Sequence, residues 1–287
     1  DHVGDWAVRR PGLRPGGWAF QYENPDYPDV DDTAVVIAAM HRADPERYAE
    51  NVARGCEWVV GMQSTSGGWG AFDPENEHYH LNSIPFADHG ALLDPPTVDV
   101  TARCVGCLAQ VDPQTHALAI RRGVQFIRRN QEADGSWYGR WGANHVYGTW
   151  SALTALNAAG EDMSQPWIRR GVEWLKTRQR ADGGWGEGLE TYEDWGAGFA
   201  RASTPSQTAW ALLGLMAAGE VESPEVARGV RWLADAPKEP DGPRWEEAHW
   251  TGTGFPKVFY LKYHGYPAYF PLWALARYER LMERNDR

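Results

Sequence analysis

Three carboxylates fall within four residues in Asp29-Val30-Asp31-Asp32, and the chain then runs straight into the apolar stretch Thr33-Ala34-Val35-Val36-Ile37. Acids in that arrangement can serve a helix: an N-cap oxygen accepts a backbone N–H, and negative charge at a helix start favours the dipole. Asp32 is the cap on this reading, and capping accounts for one or two of the three. They can also do acid chemistry. A free Asp titrates near ~3.9, too low to keep a proton at neutral pH. Burial and close like charges raise one member of a carboxyl cluster, while a nearby cation holds another ionised. Such a trio titrates as a unit. Capping and acid catalysis both stand at this point, and the helix behind the acids is a rigid mount for either.

The second chemical resource is aromatic. The 287 residues include 16 Trp, 12 Tyr and 8 Phe, an excess that divides between packing and function. Rings bury much area, and their electron-rich faces attract cations. Phe255, Phe259, Tyr263 and Tyr266 recur at intervals of four, four and three, which places them on one face if that stretch is helical. A core stripe is the commoner reason for such spacing, and a cation-facing wall is the alternative.

Gross properties exclude several classes. A net charge of −11 and a pI near 5.3 leave no basic face for phosphates, so nucleic acid is not an expected partner. The longest apolar run, residues 209–218 (AWALLGLMAA), is about half the ~20 residues a membrane span needs and reads as a core helix. Cys56, Cys104 and Cys107 cannot build a disulfide framework, and Cys104-Val105-Gly106-Cys107 lacks a second pair, so all three read as buried thiols. His78, His80 and His89 lie in a long polar loop without zinc-ligand spacing. No metal is expected. Asp1-His2-Val3 carries neither a leader nor an initiator Met, so the sequence reads as cut from a longer chain.

A repeat organises the elements that must position these groups. Arg54-Gly55-Cys56-Glu57-Trp58, followed by Gln63 and Gly67-Gly68-Trp69-Gly70, returns as Arg122-Gly123-Val124-Gln125-Phe126 with Gln131 and Asp134-Gly135-Ser136-Trp137. A third copy runs from Arg170-Gly171 through Gln179 to Asp182-Gly183-Gly184-Trp185. A fourth, from Arg228-Gly229, decays towards Trp245, and Pro15-Gly16-Gly17-Trp18 looks like the tail of an earlier one. Spacings of roughly 50 to 70 residues give each unit a helix pair and a turn. Apolar periodicity predicts helices over 33–42, 46–62, 98–110, 115–130, 148–159, 166–180, 206–218, 224–234 and 269–284, with almost no strand alternation. Small-residue apolar helices alternate with charged amphipathic ones, which suits an inner and an outer ring. The expected fold is all-α: an α/α barrel, a toroid of paired helices spanning residues 1–287 as a single domain, with an open solenoid as the alternative.

The Gly…Gln…Gly-x-Trp repeat resembles the QW motif of triterpene cyclases. With Asp29-Val30-Asp31-Asp32-Thr33-Ala34, Asp94-Pro95-Pro96, Gly139-Arg140-Trp141-Gly142, Ser203-Thr204-Pro205-Ser206-Gln207 and Thr251-Gly252-Thr253-Gly254-Phe255-Pro256, the chain is similar throughout to the C-terminal half of bacterial squalene–hopene cyclases. The resemblance implies a class II terpene cyclase, an isomerase or intramolecular transferase that protonates the terminal alkene of squalene and closes it to hopene- or hopanol-type triterpenoids. Class I enzymes instead hold Mg²⁺ with a DDxxD spacing. Asp31 is implied as proton donor, with Asp29 and Asp32 setting its acidity. Arg103, in Asp99-Val100-Thr101-Ala102-Arg103, stands where the family carries a His bonded to the first Asp. An Arg can hold an acid ionised but cannot relay a proton.

The resemblance also implies a cation-binding wall of Phe20, Phe72, Trp141, Phe255, Phe259, Tyr263 and Tyr266, with Gln21 and Tyr147 ordering water and Phe86 and Ala87 at a channel constriction. Phe72 replaces a frequent Tyr. Trp69, Trp137 and Trp185 are implied as structural. Neither metal nor organic cofactor is implied. The implied partners are squalene or a similar linear polyprene, an N-terminal domain upstream, and peripheral contact with the cytoplasmic side of the cell membrane; a homodimer is left open. A cyclase of another polyprenyl substrate and a catalytically incomplete helical-repeat half-domain remain the alternatives.

Overall fold

The computed structural model describes residues 2–84, 92–193, 202–240, 242 and 244–285. Phe86, Ala87 and His89 lie outside the described residues. The chain divides into two compact units, Asp1–Asn130 with Ala158–Glu161, and Gln131–Asn157 with Asp162–Arg287.

In the first unit a two-stranded antiparallel ribbon, β1 (Trp18–Ala19) and β2 (Pro28–Asp29), pairs Trp18 with Asp29 and Ala19 with Pro28. It leads into α1 (Val30–Ala43), followed by α2 (Ala49–Gly61), α3 (Val98–Val111) and α4 (Ala117–Arg129). Helix α1 packs on α2 and α3, and α3 packs on α4. The start of α1 departs from expectation. The cap is Asp29 rather than Asp32: its side chain accepts the Asp32 amide, and Val30 is already helical. The extended Asp29 is fixed by β1, so the helix begins as soon as the ribbon ends.

The second unit holds α5 (His145–Asn157 here, with Ala158 its last residue), α6 (Pro166–Thr177), α7 (Pro205–Ala217), α8 (Pro224–Asp235), a hairpin of β3 (Gly252–Phe255) and β4 (Phe259–Leu261), and α9 (Tyr266–Asn285). Helix α7 packs on α6, α8 and α9. Every residue of α7 is buried, whereas α6 and α8 bury one face, the division expected of inner and outer layers. The stretch carrying Phe255 to Tyr266 is corrected: it is a hairpin and a turn leading into α9, with a break in register between Thr253 and Phe255. The four-four-three spacing there is not helical, because Gly252, Gly254 and Pro256 break it in sequence.

The repeat is a set of ties. Gln63 donates to the carbonyls of Gly67 (2.8 Å) and Ala119 (3.0 Å), Gln131 to those of Gly135 and Trp167, and Gln179 to those of Gly183 and Glu225. Each Gln therefore closes its own turn and holds the first turn of the next outer helix. The turn glycines Gly67, Gly135 and Gly183 all have φ between 93° and 101°, a left-handed conformation that a side chain strains. Each repeat Trp then abuts the helical glycine of the following copy with the edge of its six-membered ring. A Cβ on Gly123 would fall 3.0 Å from Trp69, one on Gly171 2.5 Å from Trp137, and one on Gly229 2.7 Å from Trp185. The Arg-Gly start of each copy is thus the seat for the preceding Trp, and Trp69, Trp137 and Trp185 are fully buried structural residues.

Candidate active site

Asp29 is held between the ribbon and α1, 6% exposed. Its carboxyl is raised well above the ordinary Asp value, first by burial and then by the charge of Asp31, against the amide of Asp32 that lowers it. Asp31 lies two residues further on, in the first turn of α1. Its Oδ1 is buried, with Arg103 Nε from α3 3.3 Å away. The side chain as a whole keeps 24% of its surface, so the carboxyl is recessed in protein yet reachable. Burial pushes Asp31 up to about 7, with Arg103 pulling it down and Asp99 and Asp32 pushing it further up. Asp32 is exposed at the rim, raised by the protein packed on one side of it.

Two acids join this cluster that pattern reading did not single out as site residues. Asp94 is buried and accepts the amides of Ala71 (3.1 Å), Phe72 (2.6 Å) and Asp73 (2.8 Å), and its charge reaches Asp29. Asp99, 1% exposed on α3, accepts Thr97 Oγ1 at 2.5 Å and the Val100 amide at 3.1 Å. Arg103, at the place of the family's His, pairs with Asp31. One turn along α3 from Asp99 (residues 99 and 103), the guanidinium is carried to the second acid of the motif. Cys104 is buried beside the same acids, whose charges and whose apolar surroundings push its thiol far up.

Of the expected wall, Phe20 and Phe72 meet edge to face at 6.4 Å in the first unit, with Phe20 half exposed and Gln21 exposed beside it. The Phe72 amide is one of the donors that hold Asp94, which ties this ring pair to the acids. The other expected rings belong to the second unit. Phe255 meets Phe259 at 5.5 Å, Tyr263 stacks on Tyr266 at 4.6 Å, and Tyr147 is buried against Trp210 at 4.9 Å and Trp150 at 5.5 Å. Trp141 lies under the Arg140 guanidinium at 5.0 Å. Trp150, Trp210 and Phe270 link these rings, Tyr266 touching Trp210 at 5.9 Å and Phe270 at 5.0 Å. None of the three was expected. Their only sequence signal was aromatic residues inside the small-residue helices, where packing alone would also place them.

His78 and His80 are exposed with rings 5.9 Å apart. Among the described residues no three His, Cys, Asp or Glu side chains converge as a metal site would require, and Cys56, Cys104 and Cys107 are free and buried.

A recessed acid raised to about 7, with Arg103 beside it, thus sits in a helical-repeat frame. That frame has solved counterparts: a type II terpene cyclase from Scytonema, determined with its product merosterolic acid A, superposes with a TM-score of 0.65 over 95% of this chain and 78% of that one, at 19% identity. The fold is therefore that of the type II terpene cyclases, the α/α-barrel class expected from the repeat. Residues 1–280 match the family model of the squalene-hopene cyclase C-terminal domain, and the chain belongs to that family. The squalene–hopene cyclase of Bradyrhizobium diazoefficiens is 56% identical over 99% of this chain and 44% of its own length. That of Schizosaccharomyces japonicus is 55% identical over 99% of this chain and 43% of its own, so the likeness is not confined to bacteria. The chain spans less than half the length of these relatives.

Proposed function

We propose that this chain carries the proton donor and part of the cavity wall of a cyclase that converts squalene into hopene- or hopanol-type pentacyclic triterpenes. The observation that carries the reading is the acid cluster: Asp29, Asp31, Asp32, Asp94 and Asp99 share one field with a single guanidinium. Burial and the charges of neighbouring carboxylates raise Asp29 and Asp31 together, so a recessed acid there can retain its proton. Asp94 and Asp99 are held by backbone amides and a hydroxyl. Asp31 has no such donors on Oδ1, and it is the member held near neutrality. With Arg103 facing Oδ1, the proton belongs on the other oxygen.

Protonation of a terminal trisubstituted alkene by Asp31 gives a tertiary carbocation, which successive alkenes attack in turn. The last cation loses a proton or takes water. The faces of aromatic rings stabilise such charge without bonding to it. Phe20, Phe72, Trp141, Phe255, Phe259, Tyr263 and Tyr266 are assigned to that wall, and Gln21 and Tyr147 to ordered water. The guanidinium of Arg103 lowers Asp31 and so strengthens it as an acid, while leaving reprotonation to water. Full-length relatives are about twice as long, and the proposed activity belongs to the whole protein. No described helix is long and apolar enough to cross a membrane; delivery of squalene is assigned to peripheral contact on the cytoplasmic side. Incubating the full-length protein with squalene and with shorter linear polyprenes, followed by mass spectrometry, tests the substrate. Pentacyclic C30 products from squalene support the reading, and turnover confined to another polyprene overturns it.

A further inference from the structure

The geometry points to Arg140 as a positioning residue of the cyclisation cavity, a cationic clamp that fixes the rings of Trp141 and Phe255. The inference rests on the proposed cyclase reading, in which both rings belong to the wall. The Arg140 guanidinium carbon lies 5.0 Å from the Trp141 ring centroid and 5.8 Å from that of Phe255. Both distances are within the ~6 Å range over which a ring quadrupole holds a cation. One side chain therefore bridges two segments that are more than a hundred residues apart in sequence.

Backbone contacts explain why the bridge falls there. Gly142 pairs with Gly252, the Ala143 amide donates to the Thr251 carbonyl at 2.8 Å, and the Thr253 amide donates to that of Trp141 at 3.3 Å. The Thr253 hydroxyl donates to the Arg140 carbonyl. Residues 140–143 are thus zipped to β3. The zipper stops short of Phe255, because the ladder between β3 and β4 loses register between Thr253 and Phe255, and Lys257 in the turn has φ 71°. Phe255 sits past the last backbone bond to the Trp141 segment. Its other ring neighbour, Phe259 at 5.5 Å, is itself 41% exposed and a weak support. Arg140 supplies a side-chain restraint where the ladder does not.

The consequence is for product fidelity. A cyclisation cation meets a wall whose ring faces must stay put, since a ring that tilts away leaves the intermediate to lose a proton early. The restraint is a guanidinium. Its flat fork can lie against two rings, which an ammonium does less well.

The test uses the full-length protein with squalene, scoring the ratio of incompletely to fully cyclised products together with KM and thermal unfolding. Arg140→Met and Arg140→Gln remove the charge, and Arg140→Lys keeps it. In both neutral variants the share of incompletely cyclised products should rise roughly fivefold, the size expected from losing a cation–π contact, with KM within about twofold. Arg140→Lys should recover a large part of the wild-type ratio. In a Phe255→Leu background, Arg140→Met should add much less than it does alone. An unchanged ratio in either neutral variant overturns the inference, as does a Lys variant as damaged as Met, or failure of both neutral variants to accumulate folded protein. Absence of squalene turnover by the unsubstituted protein would instead sink the cyclase reading itself.

Discussion

Asp31 and Glu187 are both buried acids at a helix start, and the protein treats them in opposite ways. Glu187, 4% exposed, accepts the amides of Asn144 (3.2 Å), His145 (3.1 Å) and Val146 (2.9 Å) and so closes the N-terminus of α5. Glu247 does the same for α7 through the Ser206 amide at 2.8 Å. Burial raises both carboxyls, and these donors pull them back. Asp31 in α1 has the burial with the Arg103 guanidinium, rather than backbone amides, to pull it back. A buried carboxyl that caps a helix is stabilised by the amides it accepts, whereas one raised to about 7 costs the fold stability once it ionises.

The largest test of that contrast is Glu187→Ala, which strands three buried amides at the α5 start. It should lower stability by about 3–5 kcal/mol, seen as a drop in urea midpoint. A neutral result would mean that Glu187 is not the cap it resembles. Asp31→Asn should go the other way. Asp31 is held at about 7 when folded against 3.8 when free, so ionising it removes stability as pH climbs from about 4 to about 7. The Asn variant should therefore be more stable than the parent by roughly 2–4 kcal/mol at pH 8, with the gap narrowing towards pH 5. A gap independent of pH would contradict the raised acid.

Smaller effects sharpen the comparison between site and frame. Gly171→Ala drives a Cβ to 2.5 Å from the Trp137 ring and should cost about 1–3 kcal/mol by overpacking, read by thermal unfolding. It should leave the pH dependence of turnover alone. Arg103→Leu should do the reverse. With the lowering charge gone, Asp31 rises further and the alkaline limb of the pH–rate profile moves up by about one unit, while the weaker acid slows turnover at its plateau. A profile that stays in place would uncouple Arg103 from Asp31.

The frame was largely readable from the sequence because it repeats. Gln63, Gln131 and Gln179 make equivalent bonds, so one reading of the motif serves three copies. All nine predicted helices appear among the described residues, shifted by a few positions at their ends. The misses are where tertiary contacts override local pattern. Phe255 and Phe259 face each other across a hairpin turn, a relation that helical spacing mimics by chance. The cap fell on Asp29 because β1, ten residues upstream, fixes its backbone. Asp94 and Asp99 were visible as letters in motifs, but their place in the acid field depends on how the 69–73 turn and α3 fold back onto α1. Arg103 was expected to hold one acid of the motif ionised, and its pairing with Asp31 depends on how α3 packs on α1, which no linear pattern encodes.

The most direct measurement is turnover of squalene by the full-length protein carrying Asp31→Asn, a substitution that keeps shape and removes only the transferable proton. Stability should hold or increase, and formation of cyclised product should fall by at least about a thousandfold, the scale of a lost general acid. Cyclisation continuing at near-parental rate in a folded Asn variant would contradict the account, because the proton would then come from elsewhere.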